Sequence, residues 1–446
     1  MEIKSTHRRK LRTLRVAATL CCALSPTLGC VTSTHAESVT VGWVDRAPMD
    51  RPRIFHIAGV GGDGRIYAYA GRVEKEMKVG TVLANGDNDL AIDAYDPDSD
   101  GWSQGPPVTA YFLVSLKRVI LKNPAPPYEI LLDHVQESRV ESRLNPEYPS
   151  GGAGSDGRLY WFAGAGPVFF DPNSSSWGQG EPVLMEPEHE RYVPPISKWF
   201  RHMATTGVGP DGRFYLAGGT GYPIAYGIVK LGPHRILDSL EIYDPRTREW
   251  KEGAPLRLAR QMAAATFAPD GKLYVFGGYG ALGTSVKLPE ETDAEFAARD
   301  RLDRRLSRAA LRSVEAYDPA TDSWEDRAPM PAGRQSMGAA LGADGRIYVV
   351  GGADQYSNPA PKAEVFIYDP KTDSWSEGPP LNHPRYHHAV VATPDGRIWA
   401  IGGTNGTNRW GALPRGEPEG LVRPIEMLDT RPVRARPLSE PDAAPN

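Results

Sequence analysis

Beyond residue 30 the chain contains no cysteine. All three of its cysteines, Cys21, Cys22 and Cys30, lie near the N-terminus of a 446-residue sequence. Residues 31–446 therefore have no disulfide framework, no cysteine-ligated metal and no cysteine nucleophile. Long hydrophobic runs are also missing: after the first 30 residues no apolar stretch is long enough to span a membrane. Net positive charge is missing outside the N-terminus, where acids outnumber bases. Residues 1–29 carry six positive charges and one negative, which leaves the remainder at −9 against −4 for the whole chain. An acidic chain is a poor general nucleic-acid binder.

The N-terminus is a separate object. "MEIKSTHRRKLRTLR" is basic, and "VAATLCCALSPTLGC" follows as a short apolar stretch. This layout predicts an export signal over 1–29 and a linker over 30–42. "TLGC" resembles a bacterial lipobox, which implies a lipidated Cys30 as the one means of membrane attachment. The rival is ordinary cleavage after Ala36. The expected location is the periplasm or, as a lipoprotein, the outer membrane or cell surface.

What the chain has in quantity is Gly (47) and Pro (41), the residues of turns. They fall in a repeat. Asp-Gly followed by a basic residue occurs at Asp63, Asp156, Asp211, Asp270, Asp344 and Asp395, each time before an apolar run such as "IYVVGG". Asp-Gly between apolar runs is a strong hairpin signal, because the turn requires positive φ. A second hairpin follows: "YDPDSDGW", "FDPNSSSW", "YDPRTREW", "YDPATDSW", "YDPKTDSW". The sixth unit has only "IEMLDT" at 425–430, and its missing strand sits at the other end of the chain, beside Trp43. Six tryptophans, at 43, 102, 177, 250, 324 and 375, share this register.

A period near fifty residues with these markers resembles the kelch repeat. The resemblance covers almost all of residues 43–429. It implies an all-β fold: a six-bladed β-propeller of four-stranded sheets, closed by the N-terminal strand. Residues 430–446 are expected to be a disordered tail. Blades one and two depart mildly, with Ala-Gly in place of Gly-Gly.

With strands lettered a to d outward from the axis, the links a–b and c–d are tight turns. The long links, about 72–90, 103–145, 179–200, 220–236, 279–311 and 404–423, all join b to c or d to a, at the opposite end. Random insertion would enlarge both ends; growth at one end builds a binding face. Within 279–311 the spacing of Phe296, Leu302 and Leu306 predicts a surface helix around 289–311, and "YEILLDHVQESRVESRL" at 128–144 reads as another.

Ten residues before each Asp of Asp-Gly stand Arg53, Pro146, Arg201, Arg260, Arg334 and Arg385. Five blades thus place Arg at one register, read as the first residue of strand a. Two roles compete. These arginines pair with nearby acids to fix blade packing, or they ring the channel mouth as a clamp for carboxylates. His202, Gln261, Gln335 and Tyr386 directly follow ring arginines and would supply hydrogen bonds to a ligand. His56 and His388 share a register, and His387 precedes the latter. Without carboxylates at suitable spacing they read as satisfied structural histidines, and no metal or other cofactor is expected. "DPDSDG" (Asp96, Asp98, Asp100, Gly101) has the opening of a calcium loop, but Pro107 stands where the closing Glu belongs.

Two enzyme classes share the fold. Galactose-oxidase-like enzymes need a Cys–Tyr cross-link, which residues 31–446 cannot form. Sialic-acid mutarotases are similar in being exported bacterial six-bladed kelch proteins with an Arg-rich mouth, and Glu188, His189 and Glu190 lie at the appropriate end. No residue can be assigned a catalytic role. The sequence favours an exported, monomeric scaffold that binds a protein or an anionic carbohydrate at its insertion-rich face. The alternative is a mutarotase-like enzyme acting on an acidic sugar.

Overall fold

The computed structural model describes residues 42–73, 91–107, 114–121, 130–138, 149–163, 166–179, 199–225, 229–230, 235–280, 292, 294–295, 297–298, 310–355, 359–406 and 420–431. Six antiparallel four-stranded sheets form a six-bladed β-propeller, as the repeat predicts. Blade 1 takes strands a to d from Ile57–Val60, Ile66–Tyr69, Ala91–Asp96 and Gly101–Pro107. Blade 2 uses Ser150–Ala153, Leu159–Ala163, Gly166–Asp171 and Ser176–Gln179. Blade 3 uses Thr205–Val208, Phe214–Ala217, Leu240–Asp244 and Glu249–Gly253. Blade 4 uses Ala264–Phe267, Leu273–Phe276, Val314–Asp318 and Ser323–Arg327. Blade 5 uses Gly338–Leu341, Ile347–Val350, Val365–Asp369 and Ser374–Gly378. Blade 6 takes Ala389–Ala392, Arg397–Ile401 and Ile425–Asp429, and borrows its outer strand, Val44–Arg46, from the N-terminal end of the propeller.

The borrowed strand closes the ring. Val44 pairs with Met427 and Arg46 with Ile425, antiparallel, so the third strand of blade 6 is not left as an open edge. Trp43 is buried and donates its indole N–H to the Pro379 carbonyl of blade 5 at 2.9 Å. Blades 1, 2, 4 and 5 repeat this latch onto the preceding unit: Trp102 to Ala47 (3.0 Å), Trp177 to Pro106 (3.3 Å), Trp324 to Ala254 (2.7 Å) and Trp375 to Ala328 (2.9 Å).

The core lies between blades. Ile57, Tyr67 and Tyr69 of blade 1 pack on Leu159, Trp161 and Phe170 of blade 2. Comparable clusters fill the other five junctions, including Met49, Ile66 and Tyr95 against Trp399, Ile401 and Met427 at the closure. A single blade buries neither face alone, so stability resides in neighbours and in closure. Strand a of each blade touches strand a of the next around the whole ring. Small residues allow that approach: a Cβ on Gly338 would sit 2.2 Å from Val390 Cγ2.

Each Asp-Gly turn works the same way. Asp344 accepts the Arg346 backbone N–H at 3.0 Å with one oxygen and the Tyr348 hydroxyl at 2.9 Å with the other, while Gly345 takes φ +79°. Asp63, Asp156, Asp211 and Asp270 hold their own turn and tyrosine identically. In blade 6 the tyrosine is replaced by Trp399, which reaches Asp395 through the Thr393 hydroxyl.

One expectation about the links changes and another is met where residues are described. Residues Ile130–Ser138 form a strand, antiparallel to Val114–Leu121, where the sequence suggested a helix over 128–144. A partner strand within one link overrides the helical spacing. The helix expected around 289–311 falls largely outside the described residues, but Ala294, Glu295, Ala297 and Ala298 are helical. Thr292 and Glu295 form a reciprocal cap at its start, with Thr292 Oγ1 accepting from Glu295 N at 3.2 Å and Glu295 accepting from Thr292 N at 2.8 Å.

Candidate functional site

The register arginines do not begin strand a. Each lies in a short segment ahead of it, paired with the chain that follows strand b: Arg53 opposite Val73, Arg201 opposite Gly221, Arg260 opposite Gly280. His202, Gln261, Gln335 and Tyr386 occupy the next step of this ladder, opposite Thr220, Tyr279, Ala353 and Thr404. The residue after that, two beyond the arginine, is left-handed in every case: Phe55, Met203, Met262, Ser336 and His387, with φ between 52° and 55°.

Those left-handed residues join into a belt. His387 N donates to Ser336 O (2.9 Å), Ser336 N to Met262 O (2.8 Å), Met262 N to Met203 O (3.1 Å) and Phe55 N to His387 O (3.0 Å). Five blades are thus linked by backbone hydrogen bonds at the start of their inner strands. Non-glycine residues adopt this φ at a cost, and persist there when the surroundings dictate it. Here the dictating element is the bond to the next blade. The Phe55 ring lies on the His387 ring at 3.6 Å between centroids.

The guanidinium groups turn into their own blades. Arg53 donates from Nε and Nη2 to one oxygen of Asp93, at 2.9 and 2.7 Å. Arg201 donates to Glu241 at 3.0 Å, Arg260 to Glu315, and Arg385 to Glu426 at 2.6 Å. In the same four blades Nη1 also binds the carbonyl seventeen residues on, at Ala70, Gly218, Gly277 and Gly402. The carboxylates tie in the incoming d–a link as well. Glu315 accepts Arg257 N at 2.8 Å, and Glu426 accepts Asn382 N at 2.6 Å and His383 N at 3.2 Å. All five arginines are buried. Of the two roles weighed from the sequence, blade packing is the one these four contacts perform, and a funnel of five free cations does not form. Burial lowers the pKa of Arg260 and Arg385, and the paired glutamates oppose that shift.

The acidic partners were missed in the sequence, although a signal exists. Asp93, Glu241, Glu315 and Glu426 each stand two residues before the aromatic or apolar residue that precedes Asp-Pro or Asp-Thr. Blade 2 has Val168 there and no arginine. Blade 5 has Phe366 there and keeps Arg334, whose guanidinium carbon lies 5.2 Å from the centre of the Phe366 ring.

The remaining candidates resolve as follows. His56 and His388 are buried, but the ring nitrogens of His56 have no hydrogen-bond partner among the described residues, so the expected satisfied histidine is not what is found there. Burial pulls the pKa of His56 down to about 3, helped by Arg53 and Arg385, and pulls His388 down for the same reason. Both rings are neutral and fill space beside glycines: His56 Cε1 abuts Gly402, and His388 Cε1 abuts Gly351. Among the described residues no group of three or more His, Cys, Asp or Glu side chains is placed to hold a metal. The acids of "DPDSDG" serve their turn, with Asp96 accepting Asp98 N at 2.9 Å and Asp100 accepting the Tyr95 hydroxyl at 2.6 Å and Ala47 N at 3.0 Å. Glu188, His189, Glu190 and Cys30 lie outside the described residues.

A cavity of 550 Å³ runs along the axis, lined by strand a of all six blades, including Ala58, Ala153, Thr206, Ala265, Ala340 and Val391. Pro210, Pro269 and Gly271 place its lower end among the Asp-Gly turns, opposite the arginine segments. Its described lining carries no carboxylate, imidazole, thiol or amine. Such a wall offers shape, methyl groups and the hydroxyls of Thr206 and Thr266, with no ionisable side chain beside them to activate a hydroxyl.

Comparisons with known proteins agree with the repeat. The Kelch motif matches residues 204–257 and 336–382 in one form and 260–331 in another. The chain is 30% identical over 184 residues to human Kelch repeat and BTB domain-containing protein 12, covering 39% of this chain and 26% of that protein. It is 28% identical over 189 residues to alpha-scruin of Limulus polyphemus (41% and 16%) and 30% identical over 175 residues to mouse Kelch-like protein 35 (35% and 30%). The matched stretch spans less than a third of each of these relatives. The repeat, the six closed blades and these matches coincide, and the matched residues carry the repeat of the kelch family.

Proposed function

We propose that the chain is an exported binding scaffold whose b–c and d–a links form the face that holds a protein or anionic ligand. One observation carries this reading. The links at the Asp-Gly end are tight turns of four or five residues, closed for example by Gly61 N to Arg65 O and Gly342 N to Arg346 O, while every long link joins strand ends at the other end. A propeller supplies a rigid base, and growth confined to one rim supplies specificity. The axial cavity, whose described lining has no ionisable side chain to act as acid or base beside Thr206 and Thr266, supports binding over catalysis.

Replacing residues 281–309 with a short Gly-Ser linker tests the face. The expected result is an unchanged melting temperature with loss of cross-linked partners that a variant altered at the Asp156 turn still captures. Equal capture by both variants would remove this link from the binding face, and catalysed anomer exchange of sialic acid would overturn the scaffold reading altogether. For export, Cys30→Ser is expected to move the protein from the membrane to the soluble envelope fraction; a protein soluble in both forms would rule out the lipid anchor.

A further inference from the structure

We propose that Arg334 is the receiving group of a carboxylate-binding site in blade 5, occupying the place that a built-in carboxylate fills in four other blades. The comparison inside the chain carries the argument. Blades 1, 3, 4 and 6 pair a buried arginine with Asp93, Glu241, Glu315 or Glu426 on strand c. Blade 2 dispenses with both members. Blade 5 alone retains the cation and replaces the acid, with Phe366 at its position.

The consequence is visible at the guanidinium. Arg334 is 5% exposed, yet its Nε has no hydrogen-bond partner among the described residues. Nη1 donates to the Gly333 carbonyl at 2.9 Å, one residue away, where the other four arginines reach across to the carbonyl seventeen residues on. The nearest carboxylate, Glu364, stands 3.7 Å from Nη2 on a side chain that is 55% exposed, and Asp354 is engaged by Lys362 at 3.0 Å. The hydroxyl of Ser336, two residues along, is buried and also unpartnered among the described residues. Burial pulls the Arg334 pKa down, and Glu364 and Asp354 oppose that shift.

A buried cation without a close, hydrogen-bonded counter-ion is costly, and a forked carboxylate is the group that guanidinium geometry fits best. The loose contact to an exposed Glu364 marks the edge by which a ligand carboxylate enters, displacing Glu364 and taking the bonds that Nε and Nη2 do not make. The Phe366 ring beneath the guanidinium keeps the site dry and strengthens the interaction. The chemistry recognised is a carboxylate, from a small molecule or from an acidic side chain of a protein partner. The inference goes beyond the scaffold reading, since the site stands wherever on the face a partner docks.

The test uses the full chain. Thermal unfolding is followed with sodium acetate, and separately with a short Glu-rich peptide, against sodium chloride at equal ionic strength, together with NMR of the arginine side-chain N–H groups. Acetate is expected to raise the melting temperature and shift one Nε–H signal, which Arg334→Gln removes. Phe366→Glu rebuilds the internal pair: it is expected to raise the melting temperature without acetate and to abolish the response. Glu364→Gln, at an exposed position, is expected to lower the half-saturating acetate concentration, and decides the matter if Phe366→Glu does not fold. A peptide response without an acetate response assigns the carboxylate to a protein partner. Equal effects of acetate, peptide and chloride, or an acetate response that survives Arg334→Gln, would overturn the site and leave the scaffold reading standing.

Discussion

Arg385 donates Nη2 to Glu426 at 2.6 Å with both side chains fully buried, so one ion pair joins the segment ahead of strand a to strand c of blade 6. The same carboxylate accepts two backbone N–H groups of the incoming link, and the guanidinium also binds Gly402 and Pro424 carbonyls at 3.0 Å. The pair is thus the knot of its blade, and its desolvation is offset only because nearly every donor and acceptor is used.

Breaking that knot from one side leaves a buried charge alone. Glu426→Gln is expected to destabilise the propeller by about 3–5 kcal/mol, measured by denaturant unfolding. The paired replacement Arg385→Met with Glu426→Leu is expected to recover a large part of that loss. A double variant as unstable as the single one would show that the carbonyl and link contacts, not the charge pair, dominate.

Acid should loosen the fold through the histidines. His56 has a pKa of about 3 when folded against about 6.5 when unfolded. The unfolded chain therefore binds the extra proton, and stability that is complete above pH 6.5 is lost as pH falls toward 3. The slope is about 1.4 kcal/mol per pH unit from His56 alone, and His388 acts in the same direction. His56→Leu is expected to flatten the dependence measured between pH 6.5 and 4; an unaltered slope would assign acid sensitivity to the carboxylates.

Closure should govern cooperativity. Deleting residues 42–50 removes the strand opposite Met427 and strips Trp43 and Met49 from two inter-blade clusters. Calorimetry is expected to show a broad, multi-step transition in place of one sharp peak. A single unchanged transition would mean that the belt and the inner strands suffice to hold blades 6 and 1 together.

The outer turns couple neighbours. Asp322 accepts the Tyr317 hydroxyl at 2.6 Å within its blade and Ala254 N at 2.7 Å from the blade before. Asp322→Ala removes the acceptor of both donors at an exposed position and is expected to cost about 0.5–1.5 kcal/mol. The same change at Asp369, whose described hydrogen bond is to Lys371 N within its own turn, is the control.

Fold and site were unequally legible. The blade count, the hairpins and the closing strand followed from Asp-Gly, Tyr-Asp-Pro and Trp at fixed offsets, because each of those residues performs a local task that the spacing exposes. The acids paired with the arginines were legible in principle, at two residues before the strand-c aromatic, but the pairing spans 40 to 55 residues and no local rule connects the two. The backbone belt could not be read at all: Phe55, Met203, Met262, Ser336 and His387 share no chemistry, only a φ near +54° set by a bond from the next blade.

The sequence by itself determined the repeat, the hairpin turns, the latch tryptophans and the end at which the chain has grown, since these depend on residues close in the chain and on strand direction. Only the tertiary structure decided what the arginines do. Whether a guanidinium is a free cation or half of a buried pair depends on which carboxylate the blade brings beside it, and in blade 5 that place is held by Phe366, which leaves Arg334 with only a loose 3.7 Å contact to the exposed Glu364.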